Sequence, residues 1–551
     1  MGRSNGLVGL VVGLVALIML VGTASQIGLT YDEPIYVSKS MLAYDWVVRI
    51  LGGVDATSKE TVDLYWDATG DQQPGSIRLI FGLASGIAQG WLPLTLAPLT
   101  AARLGTMLLA AVLVGVMYWL VAGLWGWAAG IVAAGALLLM PRVWTHMHLA
   151  ALDAPIMALS FITVALIFLA ARRDRPWLCV AAGVVFGLAL GTKLNSFFIP
   201  FIVVPWLLYI GKLRIAAWTT GAMVVVGPLT FWATWPWLWY ETWSRFGEYF
   251  AFHLHHYHVA TTYFGTTWEL APWHYAPVMT AITTPPMVLV PAVLGIWVWV
   301  RTMREDAPRL QAAEMANSEG GWRGAVLLLL AWGLMVNMVP SMLPWAPKYN
   351  GVRLFLPVFP YLAGLAGVGF WWVSEAVIRY ANTRRDLGIE VLEMKLRGTL
   401  VVVVILACVV AVGNCHPFGM SYYSSLIGGP SGAQRLGMEP TYWGDTYLAG
   451  VRWLNVNGRP DAVVWINVAG FASSVALYKT LGMMRGDLQI AAGDEQLEGA
   501  DYVVVQHKPN EMSPLMQRLA EAGTPLFAEE LDGVALLWIF SGDDVLDLVG
   551  R

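Results

Sequence analysis

The recurrence of long apolar runs constrains this chain more than any other feature. They lie near residues 6–25, 99–120, 125–141, 153–171, 177–192, 195–210, 215–234, 277–300, 324–341, 353–378 and 398–414. An α-helix needs roughly 20 apolar residues to cross a bilayer core, and fewer where helices bury one another. Eleven such runs predict a polytopic α-helical membrane protein with about 11 transmembrane helices. A further apolar stretch, 79–96, is expected to lie in the interface or to dip into the membrane. Charged residues make up 13 % of the chain, about half the share of a soluble protein. The 28 Trp and 56 Gly fit the same reading, since both types are enriched in membrane helices and at their interfaces. No polybasic surface is present, which excludes a nucleic-acid partner. Cys179 and Cys408 fall in apolar runs and Cys415 just beyond one, so no disulfide framework is implied. The run at 7–21, followed by small residues, could be read as a cleavable signal. A retained first span is the expectation, because a chain with ten more spans needs no cleavage to reach the membrane.

The basic residues give an independent test of this layout. Arg172, Arg173 and Arg175 follow the fourth run, Lys212 and Arg214 the sixth, and Arg301, Arg304 and Arg309 the eighth. Arg379, Arg384, Arg385, Lys395 and Arg397 lie between the tenth and eleventh. All share one side if the N-terminus is cytoplasmic, as the positive-inside rule requires. The outer side then receives residues 26–98, 142–152, 235–276, 342–352 and everything after 415. Residues 1–414 read as a membrane domain and 415–551 as a small extracytoplasmic α/β domain. In the latter, 462–466, 502–506 and 534–539 read as strands and 471–480 as a helix.

The outer segments hold more polar chemistry than anchoring requires. Asp32 and Glu33 stand side by side where the first run ends, in Tyr31-Asp32-Glu33-Pro34-Ile35-Tyr36. Such carboxylates are costly to bury unless paired, bound to a cation or used. One of them could deprotonate an acceptor hydroxyl as a general base; a solvated loop or helix cap is the plainer reading. Pro141 to Pro155 puts His148 and Asp153 at the mouth of the third and fourth runs. Five helical residues turn the chain by about 500°, so the two need not share a face. Asp153 could equally cap the fourth helix. Lys193, in Gly191-Thr192-Lys193, could snorkel, hold a phosphate or neutralise the carboxylates. Lys348 and Arg353 lie on the outer side, against the usual charge bias, and suit an anionic head group. His253, His255, His256 and His258 cluster before the eighth run, and His274 follows. Alternating imidazoles can ligate zinc or another divalent metal, but their spacing matches no closed structural site; contact with phosphate or sugar, or an uncharged hydrogen-bonding stretch at the interface, are the other readings. The aromatic run 231–240 is expected to anchor a helix at the head-group level.

In this order and on these faces, the pieces resemble the GT-C superfamily, polytopic glycosyltransferases that use polyprenyl- or dolichyl-phosphate sugars. The similarity is to the branch related to protein O-mannosyltransferases and aminoarabinose transferases. It is carried by the Asp32-Glu33 pair, Arg103 entering the second run, Asp153, Gly187 to Lys193, and Trp235-Pro236-Trp237-Leu238-Trp239. Tyr263-Phe264-Gly265, Thr283-Thr284-Pro285-Pro286, Arg353-Leu354-Phe355-Leu356-Pro357, Ser421 to Gly429 and Asp501 to Val505 continue it. The resemblance implies a GT-C fold and an inverting transfer of sugar from a polyprenyl-phosphate donor to a hydroxyl acceptor on protein, lipid or envelope glycan. It implies Asp32 as general base, Glu33 as its acidic neighbour, Asp153 as the second acidic position, and Lys193 and Arg353 as phosphate contacts. A prokaryotic inner-membrane protein, multi-pass with its C-terminal domain outside, is implied too. A secondary transporter would instead show repeats and charges near the midplane. A non-catalytic assembly protein would not need both Asp32 and Asp153.

Overall fold

The computed structural model describes residues 3–68, 74–91, 96–254, 258–306, 319–383 and 389–549. His255, His256, Arg309, Arg384 and Arg385 lie outside them. Among the described residues, eight helices are long and apolar enough to cross a membrane: Ser4–Gln26, Pro98–Trp125, Asp153–Arg173, Leu213–Ala233, Pro286–Arg304, Gly320–Met342, Arg353–Asn382 and Glu393–Gly413. Three shorter apolar helices, Trp127–Leu138, Trp177–Leu190 and Leu194–Tyr209, fall on the third, fifth and sixth runs. The chain is a polytopic α-helical membrane protein.

Departures from the sequence reading have local causes. The run at 277–300 is two helices, Tyr275–Ile282 and Pro286–Asp306. Pro285 and Pro286 lack the amide hydrogens that a continuous helix would use, and they push the preceding residues out of helical geometry. The stretch 79–96 contributes a short helix, Gly75–Gly86, followed by a wide turn at Ile87–Trp91. Its Arg78 is buried and donates to the carbonyls of Trp66 and Asp67. The first helix packs along Pro98–Trp125 on bare backbone. A Cβ on Gly13 would sit 2.8 Å from the Ala111 carbonyl, the kind of close approach that small residues allow between membrane helices.

Only part of the aromatic run is open for the membrane anchoring expected of it, with Trp232 exposed. Trp235 and Trp237 are buried, packed with Trp46, Trp66 and Tyr249. Arg245 lies over the Trp237 ring, donates to the Trp237 carbonyl at 2.7 Å and pairs with Asp63 at 2.7 Å. The run therefore joins the outer helices Glu33–Leu51, Lys59–Trp66 and Thr242–Leu254 into one cluster.

Beyond the last apolar helix the chain builds a five-stranded sheet. A separate hairpin, β1 (Thr261–Tyr263) and β2 (Thr266–Trp268), precedes it in the chain. The sheet comprises β3 (Val463–Ile466), β4 (Gln489–Ala492), β5 (Tyr502–Gln506), β6 (Phe527–Leu531) and β7 (Val534–Ser541), in the order β4-β3-β5-β7-β6. β3 runs parallel to β4 and β5, and β7 antiparallel to β5 and β6. Strands β3, β5 and β7 and the helix Ala472–Thr480 match the expected elements. β4 and β6 carry too few branched or aromatic residues to announce themselves.

That helix is what ties the sheet to the membrane helices. The Tyr478 hydroxyl accepts from the Leu29 amide at 2.5 Å, and the Ser474 hydroxyl donates to the Thr30 carbonyl at 3.1 Å. The Tyr31 ring meets Phe471 edge-on at 5.4 Å, and the Tyr31 amide donates to the Trp443 carbonyl at 2.9 Å. The short segment 28–31 is thus held from above before the chain reaches Asp32.

Candidate active site

Four charged side chains from four separate segments meet at one end of the bundle. Asp32 follows the first apolar helix, and Asp153 opens the helix Asp153–Arg173. Lys193 follows Trp177–Leu190, and Arg353 opens Arg353–Asn382. Lys193 Nζ is 2.5 Å from Asp153 Oδ1. Arg353 spans both carboxylates, with Nη1 3.3 Å from Asp32 Oδ2 and Nε 3.9 Å from Asp153 Oδ2. Neither carboxylate is spent on a helix cap, since neither helix start has a side-chain cap hydrogen bond. The cap reading of Asp153 is therefore set aside.

The two carboxylates differ in what they can do. Asp153 is 4 % exposed and held between both cations, whereas the Asp32 side chain keeps 21 % of its surface open and is ion-paired with Arg353. Burial raises the pKa of Asp32 above the usual carboxyl range. The Arg353 charge opposes that shift, Asp153 adds to it, and Lys193 opposes it. A carboxylate so poised accepts a proton more readily than a free one.

Trp443 completes the group. The Arg353 guanidinium stacks 4.2 Å from the centre of its ring, a cation–π contact that keeps the cation flat against the wall. Trp443 has φ +68°, a left-handed backbone that a bulky residue adopts only where its surroundings compel it. His146 lies beside it, with ring centres 5.5 Å apart. His146 is 1 % exposed, neither ring nitrogen has a hydrogen-bond partner, and burial pushes its pKa down to about 4. It is an uncharged imidazole at neutral pH.

Several expected site residues are placed elsewhere. Glu33 is fully buried in a bidentate pair with Arg103, Nε–Oε1 and Nη2–Oε2 both 2.8 Å. It also accepts from the amides of Thr30 and Ala150 at 2.9 Å. Arg103 spends its other donors on the carbonyls of Ala24, Ile27 and Gly28. Glu33 is saturated by the scaffold. His148 is likewise occupied, between Thr23 Oγ1 at 2.8 Å and the Trp144 carbonyl at 2.7 Å, and burial pushes it down to about 3. Lys348 turns back onto the carbonyls of Leu343 and Ala346, both at 2.8 Å, and ties its own loop. His274 Nδ1 is bonded to the Tyr263 hydroxyl at 2.8 Å. His253 Nδ1 is bonded to the Tyr249 carbonyl at 2.9 Å, and His258 is exposed. Among the described residues no group of three or more His, Cys, Asp and Glu side chains is placed to hold a metal ion.

One more buried carboxyl, Asp445, lies within reach of the charges of Arg142, Arg103 and Glu33. It is 1 % exposed, neither oxygen meets a hydrogen-bond donor, and burial raises its pKa to about 7. In the unfolded chain the same group titrates near 3.8. Between these values the folded protein binds more protons than the unfolded one, so Asp445 makes stability fall as pH rises from about 4 to 7. Asp445→Asn is expected to flatten that decline, measured as the difference in unfolding temperature between pH 5 and pH 8.

Fold and site together define a membrane-spanning helical bundle whose carboxylates and cations converge at one end, on the side of a C-terminal α/β sheet. No family model matches the chain, and no curated protein matches it. Two solved structures are similar over nearly the whole length. ArnT from Cupriavidus metallidurans bound to undecaprenyl phosphate is 14 % identical, with 99 % of each chain covered and a TM-score of 0.49. The apo state of the same protein is 14 % identical, with 98 % of each chain covered and a TM-score of 0.48.

Proposed function

We propose that the chain is an inverting glycosyltransferase that moves a sugar from a polyprenyl-phosphate donor to a hydroxyl acceptor at the extracytoplasmic face of the membrane. One observation carries the reading: a partly open carboxylate, Asp32, is paired with Arg353, and a second, buried carboxylate, Asp153, holds both Arg353 and Lys193 in place. The donor's tail lies among the helices and its phosphate reaches Lys193 and Arg353. Asp32 takes the proton from the acceptor hydroxyl as that oxygen attacks the anomeric carbon. The bond from that carbon to the phosphate oxygen breaks on the opposite face, so the configuration inverts. The electron pair leaves with the phosphate, whose growing charge Lys193 and Arg353 stabilise. No protonation of the leaving oxygen is needed, because a phosphate leaves well unaided. His146, neutral and unpartnered, has a ring hydrogen free to orient an oxygen of either substrate.

On this reading Asp153 is a positioning residue that holds Lys193 and Arg353 rather than a second base. Asp153→Asn is expected to raise the KM for the donor more than it lowers kcat, read from steady-state kinetics with the donor varied. An equal loss in kcat with unchanged KM would put Asp153 in the proton transfer instead. The experiment that tests the function is incubation of the purified full chain with radiolabelled polyprenyl-phosphate sugars and candidate glycan, lipid and peptide acceptors. Label moving to an acceptor supports the reading; label staying on the lipid across the whole panel overturns it.

A further inference from the structure

Trp443 belongs to the chain beyond the last membrane helix, yet it has a hold on both members of the Asp32–Arg353 pair. Its ring is 2 % exposed and carries the Arg353 guanidinium at 4.2 Å. Its carbonyl accepts at 2.9 Å from the amide of Tyr31, the residue before Asp32. Its indole N–H is buried without a hydrogen-bond partner, and the dipole of that N–H lowers the pKa of the Asp32 carboxylate. A residue attached to the base on one side and to the cation on the other governs the distance between them.

The backbone conformation points the same way. Trp443 has φ +68° and Gly444 φ +95°, two left-handed residues in succession. Glycine takes that conformation freely, whereas a residue with a Cβ takes it at a cost in conformational energy. At 444 glycine is required, because a Cβ there would lie 2.5 Å from the Phe471 ring. At 443 glycine or asparagine would make the same turn at less cost, so the contacts of the indole have to offset the strain. Strain of this kind gathers where a side chain must be aimed. Phe471 also meets the Tyr31 ring edge-on at 5.4 Å, so the turn at 443–444 and the segment before Asp32 lean on one ring.

The stack suits the task. Tryptophan offers the best aromatic face for a guanidinium, and a face contact consumes none of the N–H groups at the guanidinium edge. That edge stays directed at the carboxylates, with Nη1 3.3 Å from Asp32 and Nε 3.9 Å from Asp153. Tyr349 also meets the guanidinium, at the longer distance of 5.6 Å. The charged groups acting on Asp32 are Arg353, Asp153 and Lys193, and Trp443 is the uncharged donor among them. We infer that Trp443 is a positioning residue through which the C-terminal domain sets the geometry of the Asp32–Arg353 pair. What the pair does rests on the transfer reading above; that Trp443 aims it does not.

The test reads Asp32 directly in the purified full chain in detergent. A water-soluble carbodiimide attacks protonated carboxyls, so labelling of Asp32 against pH, followed by peptide mass spectrometry, reports where it titrates. Trp443→Phe keeps a flat ring and removes the N–H, and it should raise the labelling midpoint by about 0.5 to 1 pH unit. Trp443→His returns a ring N–H and should bring the midpoint back down. Trp443→Leu removes the ring as well. In steady-state transfer it should raise the donor KM about 3- to 30-fold, while Trp443→Phe leaves that KM near the parent value. Thermal unfolding by circular dichroism shows which variants are folded. Should Trp443→Phe not fold, Trp443→His against Trp443→Leu carries the same midpoint comparison. The inference is overturned by a midpoint that stays in place when the N–H is lost, or by activity lost only in proportion to the unfolded fraction. A midpoint that moves in a chain whose parent transfers no sugar would refute the transferase reading and leave the role of Trp443 standing.

Discussion

Replacing Asp32 with Asn is expected to cut sugar transfer about 100- to 10,000-fold, the usual contribution of a positioned general base. The amide keeps the shape of the carboxylate and can still accept from Arg353, so the fold and the affinity for the donor should persist. Single-turnover transfer of a radiolabelled donor, set beside equilibrium donor binding, separates the two. Turnover within a few-fold of the parent would remove Asp32 from the chemistry. The parent's acidic limb should also lie above the pH at which an ordinary carboxyl titrates, because burial raises the Asp32 pKa. Activity falls as pH drops through that value and the base becomes protonated.

The second large effect is on stability. Glu33→Ala leaves Arg103 fully buried with its charge uncompensated, and breaking one side of such a pair costs about 3–5 kcal/mol. The three described cysteines, Cys179, Cys408 and Cys415, are free and buried, so a thiol-reactive dye reports unfolding without added labels. Glu33→Ala should shift that transition sharply to lower temperature. The double variant Glu33→Gln, Arg103→Met should recover part of the loss, because it removes both charges rather than orphaning one. A shift as small as that of a surface substitution would show that water reaches Arg103 in the folded state.

These two neighbours illustrate how far the sequence could be read. Asp32 and Glu33 stand out because two acids rarely follow an apolar run, but adjacency says nothing about which one faces a cavity. The helix start decides it, sending Glu33 inward to Arg103 and leaving Asp32 at the mouth. Asp153, Lys193 and Arg353 were visible as charges on the outer side of the apolar runs. Their mutual pairing was not, because it joins segments up to two hundred residues apart and no local period encodes it. Lys348 and His148 looked equivalent to these on charge and placement, yet Lys348 is used up by carbonyls of its own turn and His148 by the Trp144 carbonyl and the distant Thr23 hydroxyl. Trp443 and His146 were passed over because a lone aromatic ring in a loop carries no pattern of its own. Trp443 in particular depends on a positive φ that its sequence does not announce.

The bonds that hold segment 28–31 have a consequence for how the protein comes into being. Leu29 and Thr30 are among the first residues made, whereas their partners Tyr478 and Ser474 lie 449 and 444 residues further along. The helices can enter the bilayer one after another while Asp32 still lacks the contacts that aim it. Competence for transfer should therefore arrive late and all at once, when residues 443–478 close over the first outer loop.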